Sequence, residues 1–206
     1  MTTPAPQLIN VKLEKLHPTQ ITVGKLEVVQ KRKEWSGLGK NARLAALTSH
    51  WFPVVLGPGQ KHYITDHHHF GLALLEEGVK TVSAMVLKDL SWLESSKFWG
   101  VMDHHQWVHP FNCDGMRCDY RDVPFHLTHL HDDPYRSLAG ELRRAGGYAK
   151  DATPFSEFLW ADFFRPLIAL DTIEHDFSKA LAKAKKLART QAARYLPGWC
   201  GVIETV

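Results

Sequence analysis

The sequence predicts a mixed α/β fold, a small sheet with helices followed by a mostly helical C-terminal portion, and three observations carry that expectation. Ile9, Val11 and Leu13 alternate with Asn10 and Lys12, the period-two pattern of a half-buried strand. Short apolar runs at 52–56, 62–65 and 81–87 are bounded by turn residues. Beyond Asp89 alternation gives way to helical spacing, beginning with Trp92, Leu93, Phe98, Trp99 and Met102, so the sheet is expected to be complete there.

Taken in order, the first strand is broken at His17-Pro18, because proline removes a ladder donor. From 23 to 35 charged and apolar residues interleave at helical spacing until Gly37, Gly39 and Asn41, which gives a helix and then a loop. The runs 52–56 and 62–65 flank Gly57-Pro58-Gly59 and read as a hairpin. Leu72, Ala73, Leu74 and Leu75 form one buried flank of a helix that stops at Gly78, and 81–87 is a further strand. Asp114-Gly115 marks a tight turn that can join two short strands. Asp133-Pro134 starts a helix that Gly146-Gly147 stops. Thr153-Pro154 opens another through Phe163, and one last long helix buries Ile173, Phe177, Leu181, Ala184 and Leu187. Trp92, Trp99, Trp160 and Phe163 are expected in the core. The organisation expected is an α/β core over 1–90 and a helical portion over 91–206 packed on it as one structural domain.

A chain of 206 residues with 44% hydrophobic and 23% charged residues can bury a sizeable core, which excludes a disordered class. The net charge of +3 is spread along the chain and neither requires nor excludes nucleic acid. No apolar run approaches the roughly 20 residues that span a bilayer, and residues 1–10 lack a basic region followed by an apolar stretch, so a cytoplasmic protein without a membrane partner is expected. Cys113, Cys118 and Cys200, an odd number without a C-x-x-C pair, suit a reducing compartment.

Polar residues crowd at Asp66, His67, His68 and His69, where a strand runs into a helix. Free N–H groups and the helix dipole favour an anion such as phosphate at such a place, whereas in the bland reading Asp66 caps the helix and the histidines pack. Two further concentrations, one of His126, His129, His131, Asp132 and Asp133 and one of Asp103, His104, His105 and His109, have spacings that can converge on zinc, iron or manganese. Asp66, His126, His129 and His131 form the candidate metal set, against the reading that they are hydrogen-bonded loop residues. Tyr135, Arg136 and Ser137 at a helix start, with Lys150 in a following loop, are candidate anion contacts; the alternative is a capped helix with Arg136 on the surface. The basic face of the last helix, Lys179, Lys183, Lys186 and Arg189, is either solvated or set against a phosphate backbone.

The order of strand, helix, hairpin, Tyr63-Ile64-Thr65-Asp66-His67-His68-His69, helix and strand resembles the ParB-like nuclease domain of the ParB/sulfiredoxin superfamily. His17-Pro18-Thr19-Gln20-Ile21-Thr22-Val23-Gly24, the Asp-His-His-His loop, and Asp133-Pro134-Tyr135-Arg136-Ser137-Leu138-Ala139-Gly140 look like its ParB-like nuclease branch, over about 13–164. The superfamily's phosphate turn is commonly Asp-Gly-His-His-Arg. Asp66, His68 and His69 match it, while His67 stands at the glycine position and Phe70 at the arginine position. The resemblance implies a site in which Asp66, His68 and His69 act on a phosphate with His67 and Gln20 beside them. Glu27, or Glu34, lies in the stretch where kinase-like relatives carry a glutamate base. It further implies phosphoryl transfer or phosphodiester cleavage, with a divalent metal (magnesium or manganese) as cofactor. The ligand would be a nucleotide, another phosphate-bearing molecule, or nucleic acid. The alternatives are a non-catalytic nucleotide- or DNA-binding module and a histidine-rich metalloenzyme using zinc or iron.

Overall fold

The computed structural model describes residues 7–202; residues 1–6, within the segment read for a leader, and 203–206 lie outside the description. In chain order the elements are β1 (Gln7–Lys12), β2 (Leu16–His17), β3 (Thr22–Val23), α1 (Lys25–Ser36), α2 (Lys40–Ser49), β4 (Phe52–Gly57), β5 (Lys61–Ile64), α3 (His68–Glu76), β6 (Thr81–Asp89) and α4 (Ser95–His104). There follow β7 (His131–Asp132), α5 (Pro134–Arg144), α6 (Ser156–Phe164), α7 (Leu170–His175) and α8 (Phe177–Leu187). Among the described residues no helix is long and apolar enough to cross a membrane.

The chain forms two compact units that interleave along the sequence instead of dividing at residue 90. The first holds the described residues up to Ile21, with Val28–Phe111 and Arg117–His131; the second holds Thr22–Glu27, Asn112–Met116 and the residues from Asp132 on.

In the first unit the sheet order is β1-β6-β4-β5-β2. β4 and β5 form the expected antiparallel hairpin, β1 runs antiparallel to β6, and β4·β6 and β2·β5 are parallel. β1 and β2 are the two edges of this sheet, yet a single 3-10 turn, Leu13–Lys15, joins them. Four strand spacings would set flat edges about 19 Å apart, whereas such a turn spans about 8 Å. The sheet therefore curls until its edges approach. Val55, Leu90, Phe98, Met102 and Val108 form a buried cluster on it, with Tyr63 and Trp99 packed at the rim.

In the second unit Leu138, Leu142, Tyr148, Trp160, Phe164 and Ile168 form the heart of an all-helical core. The Tyr148 and Trp160 rings stack with centroids 4.3 Å apart. Each large side chain buried this fully contributes roughly 1.5–3 kcal/mol.

Four expectations change. α2 fills a stretch read as loop: it has no buried residue, so it rests on the helix propensity of its alanines and leucines and leaves no amphipathic signature. The last long helix is two, because Asp176 leaves helical geometry (φ −145°, ψ 70°) and caps α8 by accepting from Lys179 N at 3.0 Å. The helix expected from Thr153-Pro154 begins at Ser156, after Phe155 in a left-handed conformation. Trp92 is 78% exposed and not core. The five-stranded sheet is complete at Asp89 as expected, and β7 pairs with β3 in a separate two-stranded ribbon.

Candidate functional site

The loop at Asp66 is built locally. Thr65 N donates to Pro53 O at 2.9 Å, extending the hairpin ladder one step beyond β5. Asp66 Oδ1 then accepts from His67 N at 2.6 Å, and His67 turns the chain with φ 65° and ψ 22°. That left-handed conformation is where glycine is free of strain and where histidine is among the tolerated residues, which accounts for a glycine position filled by His67. Gly71 N donates to His67 O at 2.8 Å and α3 begins. The side chain of the N-cap residue, His67, makes no capping hydrogen bond. It ends in a Schellman arrangement, with Val79 N on Leu74 O and Gly78 N on Leu75 O. Phe70, at the arginine position, stacks on Phe52 with planes 3° apart and is a packing residue. Gly71 lets α3 approach the sheet, since a Cβ there would come within 3.1 Å of Phe52 and 3.2 Å of Leu127.

His68 is buried, and its Nε2 accepts from Thr19 N at 3.0 Å. A backbone amide can only donate, so Nε2 carries the lone pair and the proton sits on Nδ1. Burial pushes the imidazole pKa down to about 3; His69, His67 and His109 lower it further, and Asp66 opposes them. His68 is therefore neutral at physiological pH. Thr19 ties the same point to the strand end, its Oγ1 donating to Ile64 O at 2.7 Å. Gln20 is buried beside it and bridges to His109, whose N donates to Thr19 O at 2.8 Å. The structure thus joins Thr19, Gln20, His109 and the Asp66 loop. Thr19 and His109 were not singled out as partners of the loop by sequence reasoning; the signal for Thr19 was its place in the His17–Gly24 motif.

Glu27 and the Asp133 motif belong to the second unit. Asp133 is fully buried; Oδ1 caps α5 by accepting from Tyr135 N at 3.0 Å and Arg136 N at 3.1 Å, and Oδ2 pairs with Arg165 Nη2 at 2.6 Å. Burial raises its pKa even though Arg165 pulls the other way. Arg136 is buried and not on the surface, with Nη1 on Glu27 Oε2 at 3.1 Å, and Gly140 makes room for the pair. Ser137 Oγ accepts from Leu26 N at 3.3 Å, and Asp132 Oδ1 from Lys25 N at 2.8 Å, so both satisfy donors at the start of α1. Tyr135 Oη donates to Ile168 O at 2.8 Å. Lys150 is exposed, and Glu34 is exposed and accepts from Gln30 Nε2 at 3.0 Å.

Among the described residues, no three His, Cys, Asp or Glu side chains come together as a metal-holding group. The His126 and His129 rings meet edge to face at 5.7 Å, and His131 is exposed in β7.

Comparison with known proteins places these features. The crystal structure of protein Atu1540 from Agrobacterium tumefaciens is similar to this chain at TM-score 0.90 and 49% identity, covering 96% of this chain and 99% of that one. No curated protein matches the chain. The family profile described as Putative ParB-like nuclease matches residues 9–166, a span that takes in the curled sheet, the Asp66 loop and the capped start of α5. The chain belongs to this ParB-like nuclease family.

Proposed function

We propose that the chain binds a phosphate-bearing ligand, a nucleotide foremost, at the turn from Asp66 to His69 and carries out phosphoryl-transfer or phosphodiester chemistry on it. One observation carries the reading: the N-cap residue of α3, His67, makes no side-chain capping bond, and a helix N-terminus presents N–H groups and the positive end of a dipole to an anion. Family membership supports the same chemistry. His68, neutral and bonded to Thr19, is a positioning residue in this reading: it fixes the turn against the end of β2. His67 and His69 are the imidazoles assigned to the phosphate. A magnesium or manganese ion would suit Asp66 as its one carboxylate, because such ions keep few protein ligands and complete their shell with phosphate oxygens and water; when bound it would neutralise charge on the phosphoryl group.

Calorimetric titration with adenine, guanine and cytosine nucleotides, with and without magnesium or manganese, tests the proposal. At least one should give heat, and His69→Ala should weaken it tenfold or more; His69 is buried, so the variant is titrated below its own melting temperature. Silence from every nucleotide would falsify the reading. Release of a cleaved or transferred phosphoryl group from the bound nucleotide separates an enzyme from a non-catalytic module.

A further inference from the structure

The curl of the sheet brings its edges together without closing them, and a cavity of about 500 Å³ opens in the gap. Its lining includes Lys12 of β1 on one side, His17 of β2 and Lys61 of β5 on the other, Lys15 from the connecting turn, and Phe125 and His126 from the segment after α4. The lining holds three lysines and a single acid, Glu14.

Phe125 is 51% exposed. Lys61 Nζ lies 4.7 Å from its centroid, and the His126 ring meets its edge at 4.9 Å. The buried His17 ring packs against it at 4.2 Å, and His17 Nδ1 donates to Phe125 O at 2.8 Å. Burial and the neighbouring Lys61 lower the His17 pKa, so the lysines supply the positive charge. A half-exposed aromatic ring with the Lys61 ammonium over it, in a cavity that two further lysines line, brings together an aromatic surface and phosphate contacts, the two contacts that single-stranded nucleic acid requires.

We infer that this cavity docks single-stranded nucleic acid, with a base stacked on Phe125 and phosphates on Lys12, Lys15 and Lys61. Lys61 at the cavity and Asp66 at the proposed phosphate turn are five residues apart on one run, at most about 17 Å. A few linked nucleotides span that distance. The choice of a polymer rests on the phosphate reading of the Asp66 turn; the cavity does not.

Fluorescence anisotropy with a labelled deoxythymidine decamer and a uridine decamer, beside titration of the mononucleotides, tests the inference and separates DNA from RNA. At least one decamer should bind, with a slope of log affinity against log salt of about −2 for three neutralised phosphates. Lys61→Glu and Lys15→Glu should each weaken it tenfold or more. Phe125→Ala should do so with less effect on the salt slope, and Lys185→Glu on α8 should leave it unchanged. Lys15 is exposed, so a melting temperature near that of the parent protein is expected for its variant and keeps misfolding from imitating lost binding. Absence of decamer binding, or binding indifferent to Lys61→Glu, Lys15→Glu and Phe125→Ala, overturns the cavity whatever the mononucleotides do. Silent mononucleotides with decamer binding that Lys61→Glu and Lys15→Glu weaken keep the cavity and remove the phosphate reading of the Asp66 turn.

Discussion

His68 of the first unit is held by one backbone donor and stays neutral, whereas Asp133 of the second is held against Arg165 with two backbone amides on its other oxygen. Both are buried polar groups, and both lie in motifs that the family resemblance picked out. A neutral imidazole is costly to bury only through its unmade hydrogen bonds, while a buried ion costs several kcal/mol and needs its partner to offset that. The first arrangement is therefore exposed to acid, and the second to loss of a partner. That contrast separates the units by the kind of change that damages each.

The largest effect is expected at Asp133. Asp133→Ala removes the α5 cap and leaves Arg165 without its buried partner, which should cost about 4 kcal/mol. Urea denaturation measures it; a loss below about 1 kcal/mol would mean the pair is dispensable. Next comes Glu27→Gln, which leaves the Arg136 guanidinium buried without a counter-charge and should cost about 3 kcal/mol. Adding Arg136→Met should recover part of that loss, and a double variant weaker than both single ones would argue against pairing as the cause.

The smallest effect at neutral pH is expected at His68, where the comparison turns from partners to protons. Its pKa in the fold, about 3, lies below the unfolded value of about 6.5, so the fold favours the neutral form. Its contribution is complete above about pH 6.5 and is lost as pH falls toward 3, at up to about 1.4 kcal/mol per pH unit. His68→Gln keeps an acceptor for Thr19 N and does not titrate. Its unfolding free energy should fall less than that of the parent between about pH 6.5 and about pH 4; parallel curves would show that His68 is not held neutral.

What the sequence disclosed follows from how far each interaction reaches along the chain. The Asp66 turn, the stop at Gly78 and the Asp133 cap were legible because each is made by residues within a few positions. α2 was not, since it buries no face, and the break at Asp176 was masked by Ile173 and Phe177 continuing an apolar spacing across it. The partners of the site residues were out of reach altogether. Thr19 and His68 are 49 positions apart and Glu27 and Arg136 are 109 apart, and nothing local reports either contact. The cavity beside Phe125 escaped notice for the same reason: its lysines, histidines and ring come from three separate stretches.

The interleaving of the units also sets an order in time. Glu27 leaves the ribosome 109 residues before Arg136, so at synthesis rates of about 5–20 residues per second its carboxylate waits roughly 5 to 20 s for its partner. The strands of the sheet, all made by Asp89, can pair during that interval, while the second unit cannot complete its ion pair until α5 has emerged. A chain stalled between the two would carry a finished sheet and an unneutralised Glu27, a species for chaperones to hold.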